Sequence, residues 1–215
     1  MSAFLLRYGV TIPTSYSTAF PLTENPISES GRWRVGGVTG FYRSPQTTPG
    51  LCFGNGTSAD FDDCLAQLQT PFLNANYSIS VVIHKTGGYT APDSHEVGIY
   101  GRLIIGASLV RGYEVLIGFT SGEFQVVKWL GISQASDNFT VMSTSGTPGA
   151  VNDGDVFRAD FIGNVITVYR NGTLFNTTTD NSSPWLDGNP GMGFFIRPGG
   201  TPSSYCTTSW AVNGL

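Results

Sequence analysis

Glutamate is scarce in this sequence, and its five positions (24, 29, 96, 114 and 123) bound the hydrolytic chemistry open to the chain. Glu114 has no acidic residue two places away on either side. A catalytic pair would have to form across strands, with Glu96 and Glu114 the candidates for acid and nucleophile. Solvated strand carboxylates are the commoner use of such residues. Two distant histidines and three cysteines show no transition-metal spacing. Oxygen ligands for calcium are a better match. Asp153 and Asp155 in Asn152-Asp153-Gly154-Asp155, joined by Asp180 or Asp187, offer a loop-borne set, although the same acids also cap turns. There is no nucleophile elbow, P-loop or dinucleotide fingerprint.

A different chemistry suits the remaining polar and aromatic side chains. Planar fork donors and carboxylates match pairs of sugar hydroxyls, and an aromatic ring matches the apolar side of a pyranose. If Ile79, Val81 and Ile83 face a core, then His84, Glu96, Tyr100, Arg102 and Glu114 project from the opposite face of adjacent strands. Trp129, Trp33, Trp185 and Arg197 extend the candidate set. Each tryptophan has an equally direct use in a core.

Strands must position these residues, because helical periodicity is almost absent. Tyr77 to Lys85 alternates, with Tyr77, Ile79, Val81 and Ile83 on one side. His95 to Ile105 repeats this, setting Val97, Ile99 and Leu103 against Glu96, Tyr100 and Arg102. Tyr113–Phe119 and Glu123–Leu130 flank Thr120-Ser121-Gly122, which predicts a hairpin. Val156–Phe161 and Val165–Arg170 flank Ile162-Gly163-Asn164, a second one. Asn171-Gly172 turns tightly into Thr173–Phe175, and Met192–Ile196 and Thr207–Val212 supply the last strands. Ala59–Gln69 reads either as a short helix or as a strand beginning at Cys64, and the strand is preferred. Even strand spacing without a linker predicts one all-β domain over residues 1–215, a sandwich or barrel.

Composition agrees. Charged residues are 12% of the chain, about half the usual fraction, and glycine reaches 28 residues. A net charge of −4 with scattered basic residues argues against nucleic acid. No apolar run is long enough to cross a membrane as a helix, so membrane insertion is not expected. Met1–Tyr8 is too short for a secretory leader. The expected location is extracellular or virion-associated, with either a mature form that begins here or exit by another route such as lysis. Cys52 and Cys64 bracket a loop that a disulfide would close, though spacing alone leaves the bond open. Cys206 reads as a small buried hydrophobe. Six glycosylation sequons are expected by chance in a chain so rich in Asn, Ser and Thr.

The segment Gly154–Phe195 carries Gly-Asp (154–155), Gly-Asn (163–164), Asn-Gly (171–172), Asp180 and a Gly-rich strand from 188 to 193. In that order it resembles the C-terminal half of the concanavalin A-like lectin/glucanase superfamily, including its laminin G-like members. Ala19-Phe20 through Gly31-Arg32-Trp33 resembles the opening motif of such domains in phage and bacterial proteins. The final SWAVNGL resembles their closing strand, which returns beside the first. The resemblance implies a two-sheet antiparallel jelly roll whose concave face commonly binds sugars. The Glu-x-Asp-x-Glu strand of its glucanases is absent. So are the Gln-x-His and Tyr-x-Lys motifs of its lyases, although His84, Tyr100, Arg102 and Lys128 supply similar residue types.

Three readings stay open: a lectin-like carbohydrate-binding domain, of a virion or of another surface, as first choice; a glycoside hydrolase or polysaccharide lyase using the same groove; and a structural virion or assembly subunit. The partner expected is a polysaccharide or cell-surface glycan, with homo-oligomerisation open. No cofactor is expected, save calcium as a structural ion.

Overall fold

A computed structural model of the chain describes residues 14–36, 42–56, 62–69, 75–90, 95–107, 109–119, 123–131, 138–144, 149–196 and 199–215. These residues form sixteen strands. In chain order they begin with β1 (Ser15–Thr18), β2 (Trp33–Val35), β3 (Tyr42–Arg43), β4 (Pro45–Thr48), β5 (Leu51–Gly54) and β6 (Asp62–Leu68). Next come β7 (Tyr77–Lys85), β8 (Glu96–Ile105), β9 (Val110–Gly118), β10 (Phe124–Leu130) and β11 (Phe139–Ser143). The last are β12 (Val156–Ile162), β13 (Val165–Arg170), β14 (Thr173–Thr179), β15 (Asn189–Ile196) and β16 (Tyr205–Gly214).

Two eight-stranded sheets result. The first runs β14-β13-β12-β7-β16-β5-β4, with β1 also against β16; the second runs β11-β10-β9-β8-β15-β6-β2, with β3 against β6. Pairing is antiparallel except between β3 and β6. The closing strand does return beside the opening one, Ser15 opposite Asn213. Cys64 lies on a strand, β6, and not on a helix.

Alternation explains the layers. Tyr77, Ile79, Val81 and Ile83 of β7 and Phe157, Ala159 and Phe161 of β12 are buried against Val97 and Ile99 of β8 and Val115 and Ile117 of β9. Trp33 is part of this core and meets Trp210 edge to face, ring centres 5.0 Å apart. It is not a sugar platform. At Asn171-Gly172 both residues have positive φ (50° and 79°), as a two-residue hairpin between right-twisted strands requires. Asp155 locks that turn from outside: it accepts from the Asn152 N–H at 2.8 Å, the Asn171 amide at 2.8 Å and Arg170 at 2.5 Å. Much of the Gly-Asp and Asn-Gly pattern is therefore one structural latch.

Three expectations are corrected here. First, β7 and β8 are not neighbours, because the chain passes from one sheet to the other between them. His84 therefore faces away from Tyr100, on the other sheet, with Nδ1 3.0 Å from Asp153. Second, Cys52 and Cys64 form no disulfide. Cys52 sits on β5 of the first sheet and Cys64 on β6 of the second, and all three cysteines are buried and outside any disulfide. Burial raises the Cys52 and Cys206 thiols, the latter to about 12.

Third, Arg102 is a clamp and not a surface donor. The β8–β9 register shifts between Gly101 and Ile104, and Arg102 takes φ 53°. The shift sends its side chain to the end of the sandwich, where 2% of the residue is exposed. Its guanidinium donates to the carbonyls of Gly163, Trp185 (2.7 Å) and Ala75 (3.3 Å). Its own amide donates to the Tyr77 hydroxyl at 2.5 Å.

Arg102→Met leaves these buried carbonyls without their donor and should cost about 3 kcal/mol in urea unfolding; an unchanged midpoint would remove the clamp from the account. Thiol titration of the unfolded, unreduced protein should find all three cysteines reactive, and none readily reactive before unfolding.

Candidate functional site

The outward face of the second sheet carries a polar group that alternation and register bring together. Directly opposed residues share a face. One row therefore reads Gln67, Gly191, Tyr100, Glu114 and Val127 across β6, β15, β8, β9 and β10. Two residues along lie Leu65, Gly193, Gly98, Leu116 and Gln125. Beyond them lie Asp63, Phe195, Glu96 and Gly118, with Glu123 beside Gly118.

Glycine makes room for the central group. A Cβ at Gly98 would lie 2.6 Å from the Tyr100 ring and 2.7 Å from a Glu114 carboxylate oxygen, and one at Gly193 would strike the same ring. Tyr100 and Glu114 thus lie back along the sheet and hydrogen-bond each other. Trp129 Nε1 donates to Glu114 Oε2 at 3.0 Å, and the Trp129 ring packs against Phe139, centres 5.4 Å apart. A second small core of Leu65, Leu103, Ile105, Val110 and Val127 surrounds them. Leu103 joins it because the shift at Arg102 turns the end of β8 over.

This group is recessed: 1% of Tyr100, 6% of Glu114 and 7% of Trp129 are exposed. Asp63, Phe195, Glu123 and Gln125 stand half-buried on the same face. Burial drives the Glu114 pKa up to about 7, against the opposing hydrogen bonds from Tyr100 and Trp129. Burial, then Glu114 and Asp63, raise the Tyr100 hydroxyl well above its ordinary range.

Of the residues singled out from sequence, Tyr100, Glu114 and Trp129 meet, and Glu96 shares their face. Glu96 is opposite Gly118, not Glu114. Four residues of strand separate the two backbones, about 13 Å, so no cross-strand carboxylate pair forms. His84 and Arg102 are elsewhere. Arg197 lies outside the described residues. Trp185 is half-buried on the β14–β15 connection, with Arg111 4.6 Å and Lys128 5.2 Å from its ring centre. No motif marks Asp63, Phe195, Glu123 and Gln125 in the sequence; Gly98 and Gly193 are its signs of a ring lying flat there.

The calcium candidates do not assemble. Asp153 Oδ1 accepts from the Lys85 N–H at 2.8 Å and meets His84, while Asp155 is spent on Arg170, Asn171 and Asn152. Asp180 pairs with Lys128 and Asp187 with Arg111. No group of three metal-type side chains occurs among the described residues.

Because its folded pKa stands above the ordinary carboxyl value, Glu114 binds its proton more tightly in the folded chain than in the unfolded one. Its contribution is complete at pH below the ordinary carboxyl pKa near 4.5 and is lost as pH rises through about 7. Glu114→Gln should remove this slope, gaining on the native chain by up to roughly 3 kcal/mol between pH 5 and pH 8. Parallel stability–pH curves for the two proteins would contradict the buried carboxyl.

No protein-family model and no curated protein matches the sequence. Solved structures do. A Bacillus licheniformis β-glucanase superposes with a TM-score of 0.57 at 16% identity, over 94% of this chain and 99% of that one. The carbohydrate-binding module CBM66 from Bacillus subtilis gives 0.53 at 12%, over 88% and 96%. The lumenal domain of VIP36, solved with Ca2+ and Man3GlcNAc, gives 0.50 at 10%, over 88% of each chain. Two antiparallel sheets in this order, matched over nearly the whole chain, give the protein the concanavalin A-like lectin/glucanase fold.

Proposed function

We propose that the protein binds a glycan on the outward face of its second sheet, without cleaving it. The observation that carries the reading is the Tyr100–Glu114–Trp129 group, preset by mutual hydrogen bonds and walled by half-buried Phe195 and Gln125 on one face. The Glu114 acceptor, oriented by the Tyr100 and Trp129 donors, and the half-buried Gln125 amide beside the Phe195 ring are the kinds of group that sugar hydroxyls and pyranose faces require. The carboxylates of Asp63, Glu96, Glu114 and Glu123 lie on the same face, and Arg34 and Arg43 lie on β2 and β3, the strands that pair with β6 at its margin.

Binding is favoured over hydrolysis because Glu114 takes its hydrogen bonds from Tyr100 and Trp129, and Glu96 is four residues along the strands. The fold neighbours include a carbohydrate-binding module and a glucanase, which makes a glycan-related role the natural starting point. The same proposal puts the chain outside a cell or on a virion, where polysaccharides and surface glycans are met.

The test is a glycan array paired with a reducing-end assay on neutral polysaccharides. Binding without turnover is expected. For the best ligand, Glu114→Gln and Gln125→Ala should weaken binding about tenfold or more, the cost of one lost charge-assisted or amide hydrogen bond. Asn213→Ala, exposed on the other sheet, should leave it unchanged. Turnover of any substrate, or silence in both assays, would overturn the reading.

A further inference from the structure

We propose that the cleft between the edge strands of the two sheets is a second binding site, taking an uncharged, hydroxyl-rich ligand the size of a small saccharide. It lies where β11 and β14, the ends of their sheets, face one another beside the segment that leads from β14 toward β15. Its volume is about 480 Å³, within the range of about 300–1,000 Å³ of small-ligand pockets. The site is separate from the outward face, and either can fail without the other.

A charged pair is buried at its floor. Lys128 Nζ is 2.6 Å from Asp180, with 8% and 2% of the two side chains exposed. Lys128 also donates to the Ser183 carbonyl at 2.7 Å. Asp180 further accepts from the Tyr113 hydroxyl at 2.7 Å and the Ser182 N–H at 2.9 Å. Burial would raise the Asp180 carboxyl, but these donors, Lys128 first, hold it at about 2. Asp180 stays ionised against the Lys128 side chain 2.6 Å away, so the pair offers no net sign to a ligand. Stability alone is a weak reason to keep such a pair, since an apolar replacement is often as stable.

The walls point to the ligand class. Exposed Thr140, Thr179 and Asn181 supply hydroxyl and amide groups, while Leu130, Met142 and Trp185 supply apolar surface. Alternating hydroxyls and apolar patches suit a sugar better than an ion or a lipid. Ser183 adds a second sign. Its φ of 112° is one a side-chain-bearing residue rarely adopts, and Lys128 holds its carbonyl at that cleft. Strain of this kind gathers where a loop is shaped for a ligand.

The test uses the whole chain, labelled for amide NMR, titrated with cellobiose, maltose and lactose, and with a glucuronate-containing disaccharide for comparison. At least one neutral probe should shift amides within 128–130, 140–142 and 179–185. Thr140→Trp, which fills the cleft mouth from an exposed strand position, should abolish those shifts. Asn181→Ala, an exposed truncation with little bearing on folding, should weaken the affinity several-fold. No binding by any neutral probe, shifts confined to the face around Tyr100 and Glu114, or tighter binding of the glucuronate probe would overturn the proposal.

Discussion

One guanidinium holds the end of this sandwich together. Arg102 gives its protons to carbonyls that precede β7, close the β12–β13 hairpin and lie between β14 and β15. Two of those segments belong to the first sheet and the third connects it to the second, on which Arg102 itself lies. The guanidinium can bridge them because it carries several donors in a rigid fork and stays charged when buried. The cost is local. Arg102 adopts a positive φ, and β8 loses its register against β9 for a few residues. That loss has a second effect, since Leu103 and Ile105 turn outward and build the small apolar core around Tyr100. The clamp and the candidate site are therefore consequences of one bulge.

The site itself is shaped by missing side chains as much as by present ones. Gly98 and Gly193 let the Tyr100 ring and the Glu114 carboxylate lie against the sheet. Lying there, Glu114 loses water and its pKa climbs to about 7, while Trp129 and Tyr100 keep it oriented. A carboxyl held this way is a fixed hydrogen-bonding group whose charge varies near neutrality. Around it on the same face stand the carboxylates of Asp63, Glu96 and Glu123.

Two β10 neighbours illustrate how a sheet divides labour. Trp129 points outward to Glu114, and Lys128 points the other way to Asp180. Adjacent residues on a strand thus serve two separate recesses, and the Trp185 indole, which donates to the Trp129 carbonyl at 3.3 Å, lies between them.

Local chemistry made most strands readable from sequence. The alternation of β7 and β13 and the Asn171-Gly172 turn depend on neighbours in the chain, so their limits were apparent without coordinates. The resemblance carried by Gly154–Phe195 was legible for the same reason, because turn residues at fixed offsets report local backbone shape. Sheet membership was not. Alternation alone sets consecutive strands side by side, whereas the passage from β7 to β8 between sheets separates His84 from Tyr100. The bulge at Arg102, the distance between Cys52 and Cys64 and the raised pKa of Glu114 each depend on which distant strand packs opposite. Pattern along a chain specifies which way a side chain points from its own strand. Only the pairing of strands far apart in sequence decides what it meets there, because register and burial are properties of the partner as well.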